Sequence, residues 1–293
     1  MRSVQPTVAI ESTIFAHGLP HPVNWRTATA MQRAVCDQQA EPAVIALIEG
    51  VVRVGLTEQE LRRLCEQGAG WAKASVADLP VVAARRLNAA TTVAATAHLA
   101  ARRGIAVVVT GGIGGVHRDY GRRLDVSADL TALARTSVLL ICSGIKCVLD
   151  VAATLEALEA LGVTVVGYRT NELPGFYTAS TGLRLGCQVQ EPQELIEIWW
   201  SRQQLGLNGA IVVVQPPPPE VALERDTLEA WVEQAVREAD RQHIAGKALT
   251  PYLLRRLAEL SDGKTLTVNQ ALAVANAHLG GCVARLLAEA CCS

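Results

Sequence analysis

Lys146 stands inside the apolar run SVLLICSGIKCVLDVA, residues 137–152. Burial in such a run strips water from an ammonium and favours the free amine, a nucleophile that can add to a carbonyl and form a Schiff base. Arginine stays protonated and cannot do this. Only four of the 27 Lys and Arg residues are lysines, namely Lys73, Lys146, Lys247 and Lys264, so arginine supplies nearly every plain positive charge. Two readings of Lys146 stand level on composition: a desolvated nucleophile, or a side chain that snorkels from a strand end to water. Lys247 and Lys264 each follow a glycine, at turns, and read as surface charges.

Other residues able to do chemistry follow apolar runs. Glu11-Ser12-Thr13, with His17-Gly18 beyond, comes after Val8–Ile10, and Gly111-Gly112-Ile113-Gly114-Gly115-Val116-His117 comes after Ile105–Thr110. The glycines would let backbone amides approach an anion closely, or simply make a sharp turn. They match neither a Walker A loop nor G-x-G-x-x-G. Asn88–Thr92 opens a helix and reads as a second anion site or as a cap. Asp125-Val126-Ser127-Ala128-Asp129 offers the oxygen ligands that Mg²⁺ or Mn²⁺ prefers, or caps the helix that follows. No His-Cys cluster has zinc spacing. Of six histidines, His17, His21 and His117 fall in loops that can face a site, whereas His98, His243 and His278 fall in helical stretches.

The elements that must position these groups alternate. Strands are expected at Val8–Ile10, Ala43–Ile48, Ile105–Thr110, Val138–Cys142, Val163–Tyr168 and Ala210–Val214. Helices are expected at Trp25–Gln38, Thr57–Glu66, Thr92–Arg103, Leu130–Arg135, Val148–Leu161 and Pro192–Gln203, and the chain reads as helical from Glu220 onward. Near-continuous Val/Ile/Leu strands separated by helices predict a three-layer α/β/α fold with a largely parallel central sheet and a helical C-terminal portion. Pro216–Pro219 redirects the chain, and residues 1–293 form one expected domain. In such a sheet, ligands bind beyond the carboxyl ends of the strands, where the carboxylate, glycine cradle and lysine all fall.

With 50% hydrophobic and 19% charged residues and a formal net charge of -1, the chain has the balance of a cytoplasmic protein and no marked bias toward nucleic acid or anionic membrane. Arg102-Arg103 and Arg122-Arg123 read as solvated faces. No apolar stretch is expected to cross a bilayer, and the N-terminus lacks a signal peptide pattern. Eight cysteines without a C-x-x-C pair read as buried thiols rather than disulfides, with Cys291-Cys292 as a frayed tail. Cys142 and Cys147 flank Lys146, as packing residues or nucleophiles.

In order along the chain, AIESTIFAHGLPHP, WAKASVADLP, LNAATTVAAT, TGGIGGVHR, DVSADLTALART, SGIKCVLD, GYRTNELPGFY, LGLNGAIVV, GKALTPYLLRRLAEL and LTVNQALAVANA resemble the motifs of pseudouridine-5'-phosphate glycosidases, also called the indigoidine synthase A family. The resemblance runs from about Val8 to about Ala284. It implies reversible cleavage of the C–C glycosidic bond of pseudouridine 5'-phosphate to uracil and ribose 5-phosphate, a Mn²⁺ ion per subunit with Mg²⁺ as the alternative, and a homotrimer. It further implies that Lys146 forms a Schiff base with C1 of the opened sugar and that Glu11 donates and accepts the proton. Lys73, Thr92, Val93, His117, Ser127, Ala128, Asp129 and Asn269 would bind substrate, and Asp125 would ligate the metal. The sequence departs from the family at Ala89, where glycine is common, and at Cys147, where serine is usual. Two rivals share these residues: an aldolase-type Schiff-base lyase acting on another sugar phosphate, and a non-catalytic phosphate-ligand binding protein.

Overall fold

The computed structural model describes residues 5–118 and 120–292, without the side chains of Arg122, Arg123 and Cys292. The solvated-face reading of Arg122-Arg123 therefore lies outside the described residues. Ten strands form one sheet: β1 (Thr7–Ile10), β2 (Glu41–Ile48), β3 (Val51–Val54), β4 (Ala72–Ala74), β5 (Ala89–Thr91), β6 (Val107–Val109), β7 (Leu139–Cys142), β8 (Thr164–Tyr168), β9 (Gln188–Val189) and β10 (Ile211–Val214). Their order is β4-β5-β2-β1-β6-β7-β10-β8-β9, with β3 pairing outside this path to β2. From β2 through β9 every pairing is parallel, while β3 and β5 both run antiparallel to β2. All six expected strands are present. Of the four unanticipated ones, β4, β5 and β9 have two or three residues each and are largely alanine or polar, as in Ala72-Lys73-Ala74, and the valines of β3 are interrupted by Arg53, so none carries a continuous apolar signal.

The helices are α1 (Val23–Cys36), α2 (Glu58–Gln67), α3 (Leu79–Ala84), α4 (Val93–Arg102), α5 (Tyr120–Arg123), α6 (Ala128–Arg135), α7 (Val151–Ala160), α8 (Pro192–Gln204), α9 (Arg225–Arg241), α10 (Leu249–Leu260) and α11 (Lys264–Cys292). Side chains start several of them. Thr57 and Glu60 exchange hydrogen bonds in a capping box at α2, and Asp150 accepts the Ala153 amide at α7. The two faces of the sheet are covered separately. Helix α4 packs on β1, β2 and β6 together with α6, and α11 crosses β1, β6 and β7 beside α1 and α8. The strands between them are buried on both sides, with Val8, Ala9, Ile10, Val108 and Leu140 fully enclosed.

Helix α11 overturns two expectations. Residues Lys264–Cys291 are long and apolar enough to cross a membrane, yet half of the most apolar window is buried within the molecule, against the sheet and α1. The helix also continues through Cys292, so Cys291-Cys292 extends a helix where an irregular tail was expected. Of the described cysteines, Cys65, Cys142 and Cys147 are buried, Cys36 and Cys291 are exposed, and all are free thiols. Two adjacent glycines allow α11 its close fit. A Cβ at Gly280 would overlap the Val109 side chain of β6, and one at Gly281 would lie 2.8 Å from Gln38 Cβ.

This fit predicts the sign of a substitution. Gly280→Ala gains about 1 kcal/mol of helix propensity, but overpacking against a β-branched residue costs about 1–3 kcal/mol. The variant is expected to be less stable than the native chain in urea denaturation. Increased stability would mean that α11 does not rest on β6 at this point.

Candidate active site

Glu11 is the first residue past β1, in the middle of the sheet. Its amide donates to the Val109 carbonyl at 3.1 Å, which holds it against the end of β6. The side chain is 3% exposed. Its Oε2 accepts from the Ile14 amide at 3.1 Å and from Thr110 Oγ1 at 3.3 Å, while Oε1 accepts from Thr13 Oγ1. Burial pushes the Glu11 carboxyl up to about 7, against the opposing pull of Lys146, so both protonation states are populated near neutral pH. A π-helical turn over Ile14–Gly18 follows, and it carries His17, which lines a small compartment together with Glu11.

Lys146 lies in the turn after β7, not in the strand. Its amide donates to the Ile113 carbonyl at 3.1 Å, joining this turn to the glycine segment after β6. Gly144 makes the turn possible: its φ is +91°, and a Cβ there would sit 2.5 Å from the Pro174 carbonyl oxygen. Lys146 is half-buried, which is less enclosed than its apolar surroundings in sequence suggest. Lys73 projects from β4, also half-buried. Burial lowers its ammonium below the usual range, and the nearby Lys146 charge adds to this.

Glu11, Lys73 and Lys146 line two adjoining compartments. The outer, about 380 Å³, also takes Thr92, Val93, His117, Asp125, Ser127, Ala128 and Asp129. The inner, about 40 Å³, lies between Ile14, Phe176, Leu254 and Asn269. Every site residue expected from the sequence thus lines one compartment or both, with Asn269 confined to the inner one. His21 is exposed on the surface and takes no part.

The outer compartment is rigid because Asp129 staples it. Its Oδ1 accepts from the Ala94 amide at 2.9 Å, in the first turn of α4, and its Oδ2 accepts from the Gly114 amide at 2.8 Å. Both oxygens of this buried carboxylate are therefore engaged by backbone. A Cβ at Gly114 would be 2.9 Å from Asp129 Oδ2 and closer still to Ser127 Oγ, so the glycine is needed for close approach. Ser127 is also the N-cap of α6, accepting from the Asp129 amide at 3.2 Å, which makes the capping reading correct for this residue. His117 Nε2 is 3.9 Å from Asp125 Oδ2.

Asp125 is half-buried and lines the outer compartment. Among the described residues no three His, Cys, Asp or Glu side chains are gathered to cage a metal. A single half-buried carboxylate fits a hard divalent cation that keeps water ligands and takes oxygens from its substrate, and does not fit zinc.

Several functional positions escape sequence reasoning. Thr13 and Thr110 hold the Glu11 carboxyl, and Phe176 walls the inner compartment from a left-handed backbone conformation with φ +67°. Only the GYRTNELPGFY motif signals Phe176, and nothing marks it individually. Lys247 is a surface charge that also ties down the outer rim, where its Nζ donates to Asp78 Oδ1 at 2.6 Å. Asn276 on α11 donates to the Thr110 carbonyl at 2.8 Å and accepts from Gln215 Nε2 at 2.8 Å, fastening the helix to the carboxyl edge of the sheet. The thiols of Cys142 and Cys147 are pushed up to about 12 by burial, so they are packing residues and not nucleophiles at neutral pH.

Fold and site together define an α/β enzyme with its active site at the carboxyl edge of a mostly parallel sheet. The chain belongs to the indigoidine synthase A-like protein family, whose model matches residues 1–286. It is 49% identical to the pseudouridine-5'-phosphate glycosidase of Symbiobacterium thermophilum over 96% of this chain and 92% of that protein. It is 47% identical to the corresponding enzyme of Caldanaerobacter subterraneus, over 96% and 91%. Crystal structures that share the fold include the following two. An indigoidine synthase A-like protein from Thermotoga maritima superposes with TM-score 0.90 at 37% identity, over 97% of this chain and 94% of that one. The prealnumycin C-glycosynthase AlnA in complex with ribulose 5-phosphate gives 0.89 at 31%, over 98% and 93%.

The raised Glu11 carboxyl has a measurable consequence. The folded chain holds this proton more tightly than the unfolded chain, so the stabilisation it brings is complete below about pH 4.5 and is lost as pH rises through about 7. The loss is on the order of 3 kcal/mol. Glu11→Gln has no proton to lose, so its stability relative to the native chain should increase between pH 5 and pH 8 in urea denaturation. A constant difference would show that Glu11 titrates like an exposed carboxylate.

Proposed function

We propose that this chain is a pseudouridine-5'-phosphate glycosidase, cleaving the C–C bond between the sugar and uracil to give uracil and ribose 5-phosphate, reversibly. The observation that carries this reading is the placement of Glu11 and Lys146 at the junction of a large polar compartment and a small apolar one. A phosphosugar matches the first in size and in its charged lining, and the apolar walls of the second suit the face of a flat base. The names of the relatives at 42–49% identity point the same way.

A C–C glycosidic bond has no basic leaving atom to protonate, so chemistry with two carboxylates alone serves it poorly. In the proposed sequence, the neutral Lys146 amine adds to C1 of the sugar as the ring C–O bond opens, and the ring oxygen takes up a proton. Glu11 then delivers a proton to C5 of uracil while the C1–C5 bond breaks, the nitrogen lone pair forming the iminium. Water hydrolyses the iminium, restoring the amine and releasing ribose 5-phosphate. In reverse, uracil C5 attacks the iminium and Glu11 takes the proton back. A carboxyl near 7 is suited to both directions.

The other residues bind and orient. Thr92 and Val93 open α4, where the helix dipole and amides favour a phosphate, and Lys73 supplies positive charge beside them. His117, Ser127 and Ala128 complete the outer wall, Asp129 fixes its shape, and Asn269 faces the inner compartment. Asp125 would hold the Mn²⁺, or Mg²⁺ in its place, which when bound supplies charge to anionic substrate oxygens. The assembly is proposed to be a cytoplasmic homotrimer built from single-domain subunits that act in pseudouridine catabolism.

Borohydride with ribose 5-phosphate is expected to trap an adduct on Lys146 of the native chain, and Lys146→Ala is expected to lose both adduct and uracil release. Trapping with several aldose phosphates but no uracil release would favour a lyase acting on another phosphosugar, a reading that the AlnA complex with ribulose 5-phosphate keeps specific. Chelation should abolish turnover, and Mn²⁺ should restore it to the native chain but not to Asp125→Ala. Undiminished turnover in chelator would reject the metal assignment.

A further inference from the structure

The guanidinium of Arg118, the residue after His117, takes hold of the backbone that carries Lys146. Its Nε donates to the Leu149 carbonyl at 3.2 Å and its Nη2 to the Cys147 carbonyl at 3.0 Å. The other edge of the fork meets both carboxylate oxygens of Glu229 on α9, Nη1 donating to Oε1 and Nη2 to Oε2, the latter at 3.1 Å. Neither residue lines the inner or the outer compartment. We infer that Arg118, held by Glu229, is a positioning residue for the Schiff-base step, fixing the turn from which the Lys146 amine reaches the sugar carbon. This inference rests on the function proposed above and extends it to two residues that stand outside the substrate's compartments.

The lysine turn gains its support from one side through the glycine segment. The two stretches pair at Ile113 with Ile145 and at His117 with Leu149. Between those pairings the Lys146 amide is bonded to the Ile113 carbonyl, and the Lys146 carbonyl accepts from the Leu149 amide at 3.0 Å. Arg118 adds bonds to the two carbonyls that flank Val148, and Glu229 ties these to a long helix of the C-terminal portion. Position matters here because the amine ends a four-carbon side chain, so a small tilt of the backbone is magnified at the nitrogen. A misplacement of about 1 Å at a reacting atom can cost about a hundredfold in rate. Phosphate binding is affected less, since Lys73 and the start of α4 belong to other elements.

The chemistry of the contact calls for arginine. A planar fork can present one edge to two carbonyls and another to a carboxylate at the same time, whereas an ammonium is a single point of charge. Hydrogen bonds from a guanidinium to a carboxylate are also among the stronger ones. The Arg118 side chain is 30% exposed and that of Glu229 is 49% exposed, so the pair is partly shielded from water. Burial disfavours the Arg118 charge, but the hydrogen bond and charge of Glu229 outweigh it and raise the guanidinium above its usual range. The same hydrogen bond holds the Glu229 carboxyl below the usual carboxylate range, so the pair stays ionised at neutral pH.

The test uses the full-length chain, with uracil release from pseudouridine 5'-phosphate and borohydride trapping of ribose 5-phosphate as readouts. Arg118→Ala is expected to lower kcat by about tenfold to a hundredfold with KM within about threefold, and to slow adduct formation on Lys146 by a similar factor. A cleft of about 600 Å³ lined by Arg118, Cys147, Leu149 and Glu229 gives small ions access to the vacated place. Guanidinium ion, well below concentrations that unfold the chain, should therefore raise the kcat of Arg118→Ala about threefold or more and leave the native chain unaffected. Arg118→Lys keeps the charge without the fork and should remain about fivefold or more below the native kcat. Native kcat in either variant overturns the inference, as does a loss confined to KM or a loss of kcat that guanidinium leaves untouched. Glu229→Ala carries the test should Arg118→Ala fail to fold: it is expected to lower kcat about fivefold at unchanged KM, and a native kcat there overturns the inference. Absence of both uracil release and trapping in the native chain overturns the proposed function and the inference with it, whereas full turnover in these variants overturns the inference alone.

Discussion

A carboxyl enclosed at the end of a central strand has no water to solvate its charge, and the site is organised around that of Glu11. The Lys146 charge does most to keep the charged form accessible, with smaller help from the Ile14 amide and the Lys73 charge, while the Asp129 charge works with burial against it. The hydroxyls of Thr13 and Thr110 hold the carboxyl in place. Removing the protein's cover would return the carboxyl to its ordinary acidity. Direct ionic pairing with a lysine would hold it deprotonated. Its useful range near neutrality requires neighbours that are close but not bonded, and the sheet supplies them from several strands. Glu11 and Thr110 follow β1 and β6, Lys146 follows β7, and Lys73 lies on β4.

Holding strand ends together at that edge requires the exposed carbonyls there to be satisfied. Asn276 does this from α11, joining the Thr110 carbonyl to Gln215 and Ser143, which lie beyond β10 and β7. The same helix carries Asn269 to the inner compartment about two turns earlier. Its small residues Gly280 and Gly281 admit it between the sheet and α1. The apolar character that makes α11 resemble a membrane span is thus required for packing, and the packing in turn positions two asparagines.

Much of this is legible in the sequence, for identifiable reasons. The six central strands show as continuous Val, Ile and Leu because both their faces are buried. Lys146, Glu11 and the glycine segment stand out because they follow those strands. The edge strand β4 and its neighbour β5 escape notice because short runs of alanine with lysine or threonine carry little periodic signal, although β4 delivers Lys73. Thr13, Thr110 and Asn276 escape because their importance lies in which group they meet, across separations of up to 166 residues. The sequence also overstates the enclosure of Lys146. Its apolar neighbours Ile145, Cys147 and Val148 are buried, whereas Lys146 itself lines both compartments and stays partly accessible.

Asp129 ties the opening turn of α4 to the glycine segment through two short charge-assisted hydrogen bonds, so these two anion-facing segments cannot move independently. An oxyanion arriving there meets two walls whose relative position is already set, so little ordering entropy remains to be lost between them. Association should therefore be governed by diffusion into the mouth and by the electric field around it, with differences among phosphorylated ligands expressed mainly in how long each one stays.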